Sequence, residues 1–313
     1  KVLLTNPVDR FIPSFKDSRV FVSGTADDYQ TEELARPVTI HDILTHQSGL
    51  GFSLGLDVVA DIYRKAGLGF GFRGLDLGEY CDLLASLPLC FQPGTAWKYS
   101  AATDVVGRVV EVVSGMSLDA YVEEKIFAPL GMTDTAFYVP ESKQDRFAAL
   151  YTRRDKKMVK FDRLQPPLEP PKLLSGAGGL VGTINDYHRF TTALLRGGEI
   201  DGARIIGRKT LQYMTMNHLP GGVDLETHAG GQGASEVAMP GVGFGLGFGV
   251  VTDAPLQRSL ASTGEYMWGG AASTAFWVDP AEEITCVFMT QLFPSASFPI
   301  RPQLRWTVNQ ALT

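Results

Sequence analysis

Tyr99 stands at the head of YSAATD, directly before ATDVVGRVVEVVSG, a stretch whose valine spacing predicts a helix. A phenol at a helix N-terminus sits where the macrodipole stabilises negative charge, so a tyrosinate forms more easily there and can accept a proton. Taken alone, a tyrosine in such a place is more often a packing residue. The second candidate lies in EYMWGGAASTAFWVDP, residues 265 to 280, where Trp268 precedes Gly269 and Gly270. From Ala271 to Val278, small, β-branched and aromatic residues run on until Asp279-Pro280, which predicts a strand closed by a turn. Two glycines at a strand entrance weaken it, unless another backbone or a ligand comes close there. Read by themselves, they mark a bulge or a tight entry.

Other motifs do not carry chemistry. GARIIGRKT, Gly202 to Thr210, nearly matches a phosphate-binding loop, but Arg208 separates the second glycine from Lys209 and no apolar strand feeds it. GxGxxG has no proper instance, because the glycines of residues 241 to 249 sit in a predicted strand. His41 and His46 are five apart and do not share a helix face as HExxH ligands do, and His188 has no second ligand on its helix. All three read as structural, so no metal and no cofactor is expected. Neither GxSxG nor SxxK occurs: Ser48, Ser100 and Ser175 each lack a lysine three residues on, and Ser48 reads as a cap.

The composition, 44% hydrophobic and 20% charged over 313 residues, is that of a globular protein with a sizeable core. A net charge of −6 without a basic block argues against nucleic acid or an anionic membrane as partner. No apolar run approaches the ~20 residues that a membrane span needs. Cys81, Cys90 and Cys286 are odd in number and form no CxxC, so they read as buried thiols and lean towards a reducing compartment such as the cytoplasm.

The elements that must position Tyr99 and Trp268 follow from caps and periodicity. Thr39 and Asp42 open a short helix, TIHDILTHQSGL, with Ile40, Ile43 and Leu44 as its apolar stripe and Gly49 as its C-cap. LGEYCDLLASLPL is helical up to Pro88, and Val105, Val106, Val109, Val110 and Val113 face inward from the next helix, which Gly115 ends. Ser117 caps SLDAYVEEKIFAPLGM, and Thr183 with Asp186 caps INDYHRFTTALLRGG. Residues 151 to 172, basic and then proline-rich, predict an exposed loop. After Gly221 come glycine-rich strands at hairpin spacing, then a closing helix, IRPQLRWTVNQALT. Helices first and strands last indicate an α+β fold, divided into a mainly helical part, residues 1–175, and an α/β part, residues 176–313.

Several segments together resemble the serine β-lactamase and penicillin-binding-protein superfamily, and within it the class C-like esterases often called family VIII carboxylesterases. They are LLTNPVDRFIPSF, VTIHDILTHQSGL, QPGTAWKYSAATDVVGRVVEVVSG, IFAPLGMTDTAF, GAGGLVGTINDYHRF, GFGLGFGV and WGGAASTAFWVDP, which cover essentially the whole chain. The resemblance implies a β-lactamase/transpeptidase-like fold, with an antiparallel sheet flanked by helices beside a mainly helical domain. It implies a serine ester hydrolase acting through an acyl-enzyme on small-molecule esters. Carried over, Tyr99 is the catalytic tyrosine, Trp268-Gly269-Gly270 the third motif that lines the substrate, and the Ala271 N–H an oxyanion donor. Such a donor contributes roughly 10²–10³ in kcat.

Three departures matter. Ala101 stands where the tyrosine motif of lactam-processing relatives has Asn, and Trp268 stands where they have a lysine that binds the substrate carboxylate. The third departure is the missing SxxK, which in the family lies a few tens of residues before the LLTDP-like segment at which this chain begins. The nucleophile serine and its lysine are therefore expected on a separate or omitted N-terminal segment, and residues 1–313 alone should show no covalent serine hydrolase activity. Without that segment, a sheet edge is expected to be unpaired and the faces of Val105 and Phe276 exposed. A β-lactamase, a D-amino peptidase, an amidase, an acyltransferase and a non-catalytic binder of acylated small molecules stay open as alternatives.

Overall fold

The computed structural model describes residues 2–69, 74–161, 168–228 and 239–313. The chain folds into two compact units, one of Lys1–Tyr121, Pro171–Gly179 and Thr227–Ala238, the other of Val122–Pro170, Leu180–Glu226 and Met239–Thr313. This division does not follow the expected cut between residues 175 and 176. The reason is packing: Phe127, Leu130 and Met132 bury against Ala193 and Ile200, which draws the segment after Tyr121 into the second unit.

In the first unit, β1 (Arg19–Gly24) and β2 (Tyr29–Glu33) form an antiparallel hairpin with a register shift between Phe21 and Ser23. No strand was expected there, because the hairpin is largely exposed and lacks an alternating apolar face. The helix α1 (Ile40–Leu44) starts at a full capping box, in which the Thr39 side chain accepts from the Asp42 N–H and the Asp42 carboxylate accepts from the Thr39 N–H at 2.8 Å. It ends at Leu44, short of Gly49, and His46 takes a left-handed φ of 57° just beyond it. Then come α2 (Val58–Lys65), α3 (Leu77–Ser86) with a second capping box from Asp76 and Glu79, and α4 (Ala102–Ser114), which Gly115 ends at φ 72°. The chain leaves this unit within α5 (Leu118–Val122).

The helix α4 packs on α1 and α3, and Val105 with Ile43, Leu50, Leu84 and Leu89 makes up the most deeply buried part of this core. Each such aliphatic side chain contributes about 1.5–3 kcal/mol by leaving water. Val113 is exposed, contrary to expectation, because the inward stripe of α4 narrows to Val105 and Val109 and its last turn meets solvent. Val105 itself is fully buried among the residues of this chain, where exposure was expected.

In the second unit, a π-helical turn, Glu123–Phe127, continues into α6 (Ala128–Leu130), closed by Gly131. The segment expected to be a loop from residue 151 instead begins as a hairpin of β3 (Tyr151–Arg154) and β4 (Lys157–Lys160). Asp155 and Lys156 make its turn at φ 49° and 64°. Positive φ at both central residues matches the twist of the strands, which a basic stretch without Gly does not announce. Residues 162–167 of the proline-rich part lie outside the described residues. Thr183 caps α7 (Ile184–Leu195), but the Asp186 carboxylate turns away to accept from the Asp134 N–H and the Thr135 hydroxyl. A small hairpin of β5 (Glu199–Ile200) and β6 (Ala203–Arg204), then α8 (Arg208–Met214) and α9 (Leu225–His228), lead to the main sheet.

That sheet contains β7 (Val242–Phe244), β8 (Gly249–Val251), then, after α10 (Ala254–Gln257), β9 (Tyr266–Gly269), β10 (Ala275–Asp279) and β11 (Ile284–Phe288). The strands are antiparallel in the order β11-β10-β9-β8-β7, so β11 is an edge among the described residues. β12 (Leu292–Phe293) pairs in parallel with β3, and α11 (Ile300–Asn309) closes the chain. The helix α7 packs against β10 and β11. Phe276 is buried there, against Tyr187 and Phe248 at ring distances of 5.3 and 6.3 Å, where exposure was expected.

Candidate active site

Tyr99 stands two residues before Ala101, the N-cap of α4, and it belongs to the first unit. Its ring is half-buried in an aromatic box: the His46 ring lies 4.8 Å away at 50°, and the Phe52 ring meets it edge-on at 6.0 Å. His46 is itself buried, edge-on to Trp97 at 5.9 Å, and its Nδ1 is 3.2 Å from the Ser100 hydroxyl. Burial pulls the imidazole pKa down to about 3, so the ring is neutral at ordinary pH. The Lys98 N–H donates to the His46 carbonyl at 3.0 Å, so the backbone before Tyr99 and the side chain after it are both held to this one residue.

The Lys98 ammonium pairs with Asp57, which also caps α2 by accepting from the Ala60 N–H at 3.0 Å. Burial works against the charge on Lys98, but the neighbouring Cys90 and Asp57 outweigh it and hold its pKa above the usual value. In the first turn of α4, the buried Asp104 carboxylate accepts from the Ser175 hydroxyl at 2.6 Å and from the Ala177 N–H at 3.2 Å. Burial raises its pKa against those bonds. Gly176 lies so close to α4 that a Cβ there would be 2.4 Å from the Thr103 carbonyl oxygen.

The serines set aside in the sequence are all tied into structural bonds. The Ser48 hydroxyl accepts from the Leu50 N–H, Ser100 faces His46, and Ser175 donates to Asp104.

Trp268, Gly269, Gly270 and Ala271 belong to the second unit, and their local structure differs from the expectation. The strand expected over residues 271 to 278 begins only at Ala275. Trp268 and Gly269 end β9 instead, and residues 270 to 274 make the reversal into β10. The Gly270 N–H donates to the Thr274 carbonyl, the Ser273 N–H returns to the Gly270 carbonyl, and Ser273 adopts φ 69°. Register pairs Trp268 with Phe276 and Gly269 with Ala275, and the indole stands edge-on to Phe244 at 5.3 Å. Ala271 is exposed at the tip, and its N–H donates no hydrogen bond among the described residues. A backbone donor left open in a turn that its neighbours hold rigid is available to an incoming carbonyl oxygen.

The two glycines have a reason inside the fold. The Arg301 guanidinium from α11 lies over the turn, donating from Nη2 to the Gly270 carbonyl at 2.6 Å and to the Thr274 carbonyl at 2.8 Å. A Cβ on Gly269 would meet the guanidinium carbon at 2.6 Å, and one on Gly270 would meet the Thr274 hydroxyl at 2.4 Å. Sequence reasoning missed Arg301 entirely, since nothing in a late helix announces its reach. It read His46 as structural, and the ring contact with Tyr99 was not accessible from spacing. Asp104 was quoted within YSAATD without a role.

Comparison with known proteins decides the family. The β-lactamase family profile matches residues 1–310. The chain belongs to the β-lactamase family. Within it, the chain is 31% identical over 326 residues to esterase EstB of Burkholderia gladioli, covering 97% of this chain and 75% of that protein. It is 26% identical to the acyltransferase calJ of Penicillium decumbens, covering 93% and 70%. Among solved structures it superposes on EstCE1, a hydrolase with promiscuous acyltransferase activity, with a TM-score of 0.79 at 26% identity, covering 98% of this chain and 78% of that one. The α+β architecture is thus that of the β-lactamase/transpeptidase-like fold.

Proposed function

We propose that this β-lactamase-family protein is a carboxylesterase-type serine hydrolase that cleaves short-chain esters through an acyl-enzyme. The observation that carries the reading is Tyr99, half-buried ahead of α4 in a box of aromatic rings. The likeness to EstB and to EstCE1 supports it. The serine and the lysine of SxxK come from a segment outside residues 1–313, in which no serine has a lysine three residues on. In the acylation step the serine hydroxyl oxygen adds to the ester carbonyl carbon while Tyr99, as phenolate, takes the hydroxyl proton. The developing oxyanion needs a backbone donor, the role that the family resemblance gives to the Ala271 N–H. Collapse of the tetrahedral intermediate breaks the bond to the alkoxy oxygen, which leaves as the alcohol with the proton returned by Tyr99. Water repeats the sequence on the acyl-serine and releases the acid.

Trp268 and Ala101 set the substrate class. An indole in place of a cation carries no charge to pair with a substrate carboxylate, and Ala101, buried, offers no amide to a lactam side chain. Esters therefore react faster than lactams. The test compares p-nitrophenyl butyrate with nitrocefin on the full-length protein; faster turnover of nitrocefin overturns the reading. Discharge of the same acyl-enzyme by an alcohol instead of water is acyl transfer, a second reading that the likeness to calJ and EstCE1 favours.

A further inference from the structure

We infer that His46 positions Tyr99, its buried ring forming the surface against which the phenol packs at a tilt and its Nδ1 tying down Ser100, the next residue along the chain. The inference rests on the reading of Tyr99 as the catalytic base, and it goes beyond that reading by assigning the residue that aims it.

Three observations within the first unit converge on His46. Its ring is 4.8 Å from that of Tyr99, nearer than that of Phe52, which only meets the phenol edge-on at 6.0 Å. Its Nδ1 lies 3.2 Å from the Ser100 hydroxyl, and its carbonyl accepts from the Lys98 N–H at 3.0 Å, so both residues flanking Tyr99 are fastened to it. Its backbone sits at φ 57°, in the left-handed region that residues with a Cβ enter at a cost. Strained, buried residues of this kind persist where their surroundings over-determine them, and such places cluster at functional sites.

A histidine that merely filled the core would need only the contact with Trp97, at 5.9 Å. The side-chain bond to Ser100, directly after Tyr99, together with the ring contact limits where the phenol can sit. A base displaced by about 1 Å loses about 10²-fold in rate, so this constraint acts on kcat rather than on substrate binding. The neutral state of the ring fits the role, since it adds no charge beside the phenolate.

The test uses His46→Asn, Ser100→Ala and Ser100→Thr in the full-length protein, with Tyr99→Phe as the reference. Asn tolerates a left-handed φ and can still reach Ser100, but it removes the ring. The expected result is a kcat about 10–100-fold lower for His46→Asn with KM within about twofold, measured per folded molecule by circular dichroism. Ser100→Ala should lose about fivefold in kcat and Ser100→Thr, which restores the hydroxyl, should recover it. A loss that only tracks the unfolded fraction, or a kcat within about twofold of wild type in the folded variants, overturns the inference. If His46→Asn does not fold, the Ser100 pair decides alone, and an unchanged Ser100→Ala overturns it. An unchanged Tyr99→Phe shows instead that the base was misassigned, and the inference falls with it.

Discussion

Arg301 donates to the Gly270 carbonyl at 2.6 Å, and in doing so it occupies the place of a Cβ on Gly269, 2.6 Å from the guanidinium carbon. The closing helix therefore clamps the turn that presents Ala271. Gly269→Ala should destabilise the protein by about 1–3 kcal/mol, because the guanidinium and the Thr274 carbonyl, which a Cβ would meet at 2.9 Å, must both give way. Arg301→Ala removes the guanidinium's part of the clash as well as the clamp and leaves the Thr274 carbonyl, so the double variant should cost less than the sum of the two single ones. Urea midpoints for the four proteins measure the coupling, and strict additivity would sink the explanation.

Tyr99→Phe in the full-length protein should lower kcat by roughly 10²–10⁴ with little change in stability. Only a hydroxyl is removed, and the ring keeps its contacts with His46 and Phe52. Steady-state kinetics with a p-nitrophenyl ester decide; near-normal turnover removes Tyr99 as the base.

Asp104→Ala should cost about 2–3 kcal/mol, since the Ser175 hydroxyl and the Ala177 N–H would lose their acceptor. Asp104→Asn keeps one oxygen and should cost less. Thermal melts of both variants test the order, which reverses if the charge itself is what holds the loop.

Glu265, fully buried on the strand side of Arg305, gives the fold a pH dependence. Arg305 Nη1 is 2.7 Å from its carboxylate, a charge contact without an aligned hydrogen bond. Burial pushes the carboxyl up from its ordinary 4.5 to about 7, against the pull of Arg305. A raised folded-state pKa contributes stability that is complete below 4.5 and is lost as pH rises through about 7. At about 1.36 kcal/mol per pH unit the loss is at most a few kcal/mol. Glu265→Gln should flatten the fall of Tm between pH 5 and 8; an unchanged slope would assign it to other groups.

What could be read from the sequence was what local chemistry sets. Thr39 with Asp42, Thr183 at the start of α7 and Gly115 at the end of α4 act over three or four residues, so their spacing announces them. Tyr99 ahead of α4, the hairpin spacing of the C-terminal strands and the closing helix were visible for the same reason. The family was legible too, because many short segments matched together over residues 1–310.

Only the tertiary structure decided the rest. Arg301 and the Thr274 carbonyl crowd the place of a Cβ on Gly269, and His46, at a left-handed φ, packs its ring beside Tyr99. The segment after Tyr121 joined the second unit because Phe127 and Leu130 found Ala193. Such contacts join residues far apart in the chain, where no periodicity or cap records them, and they form only when burial of the core brings those residues together.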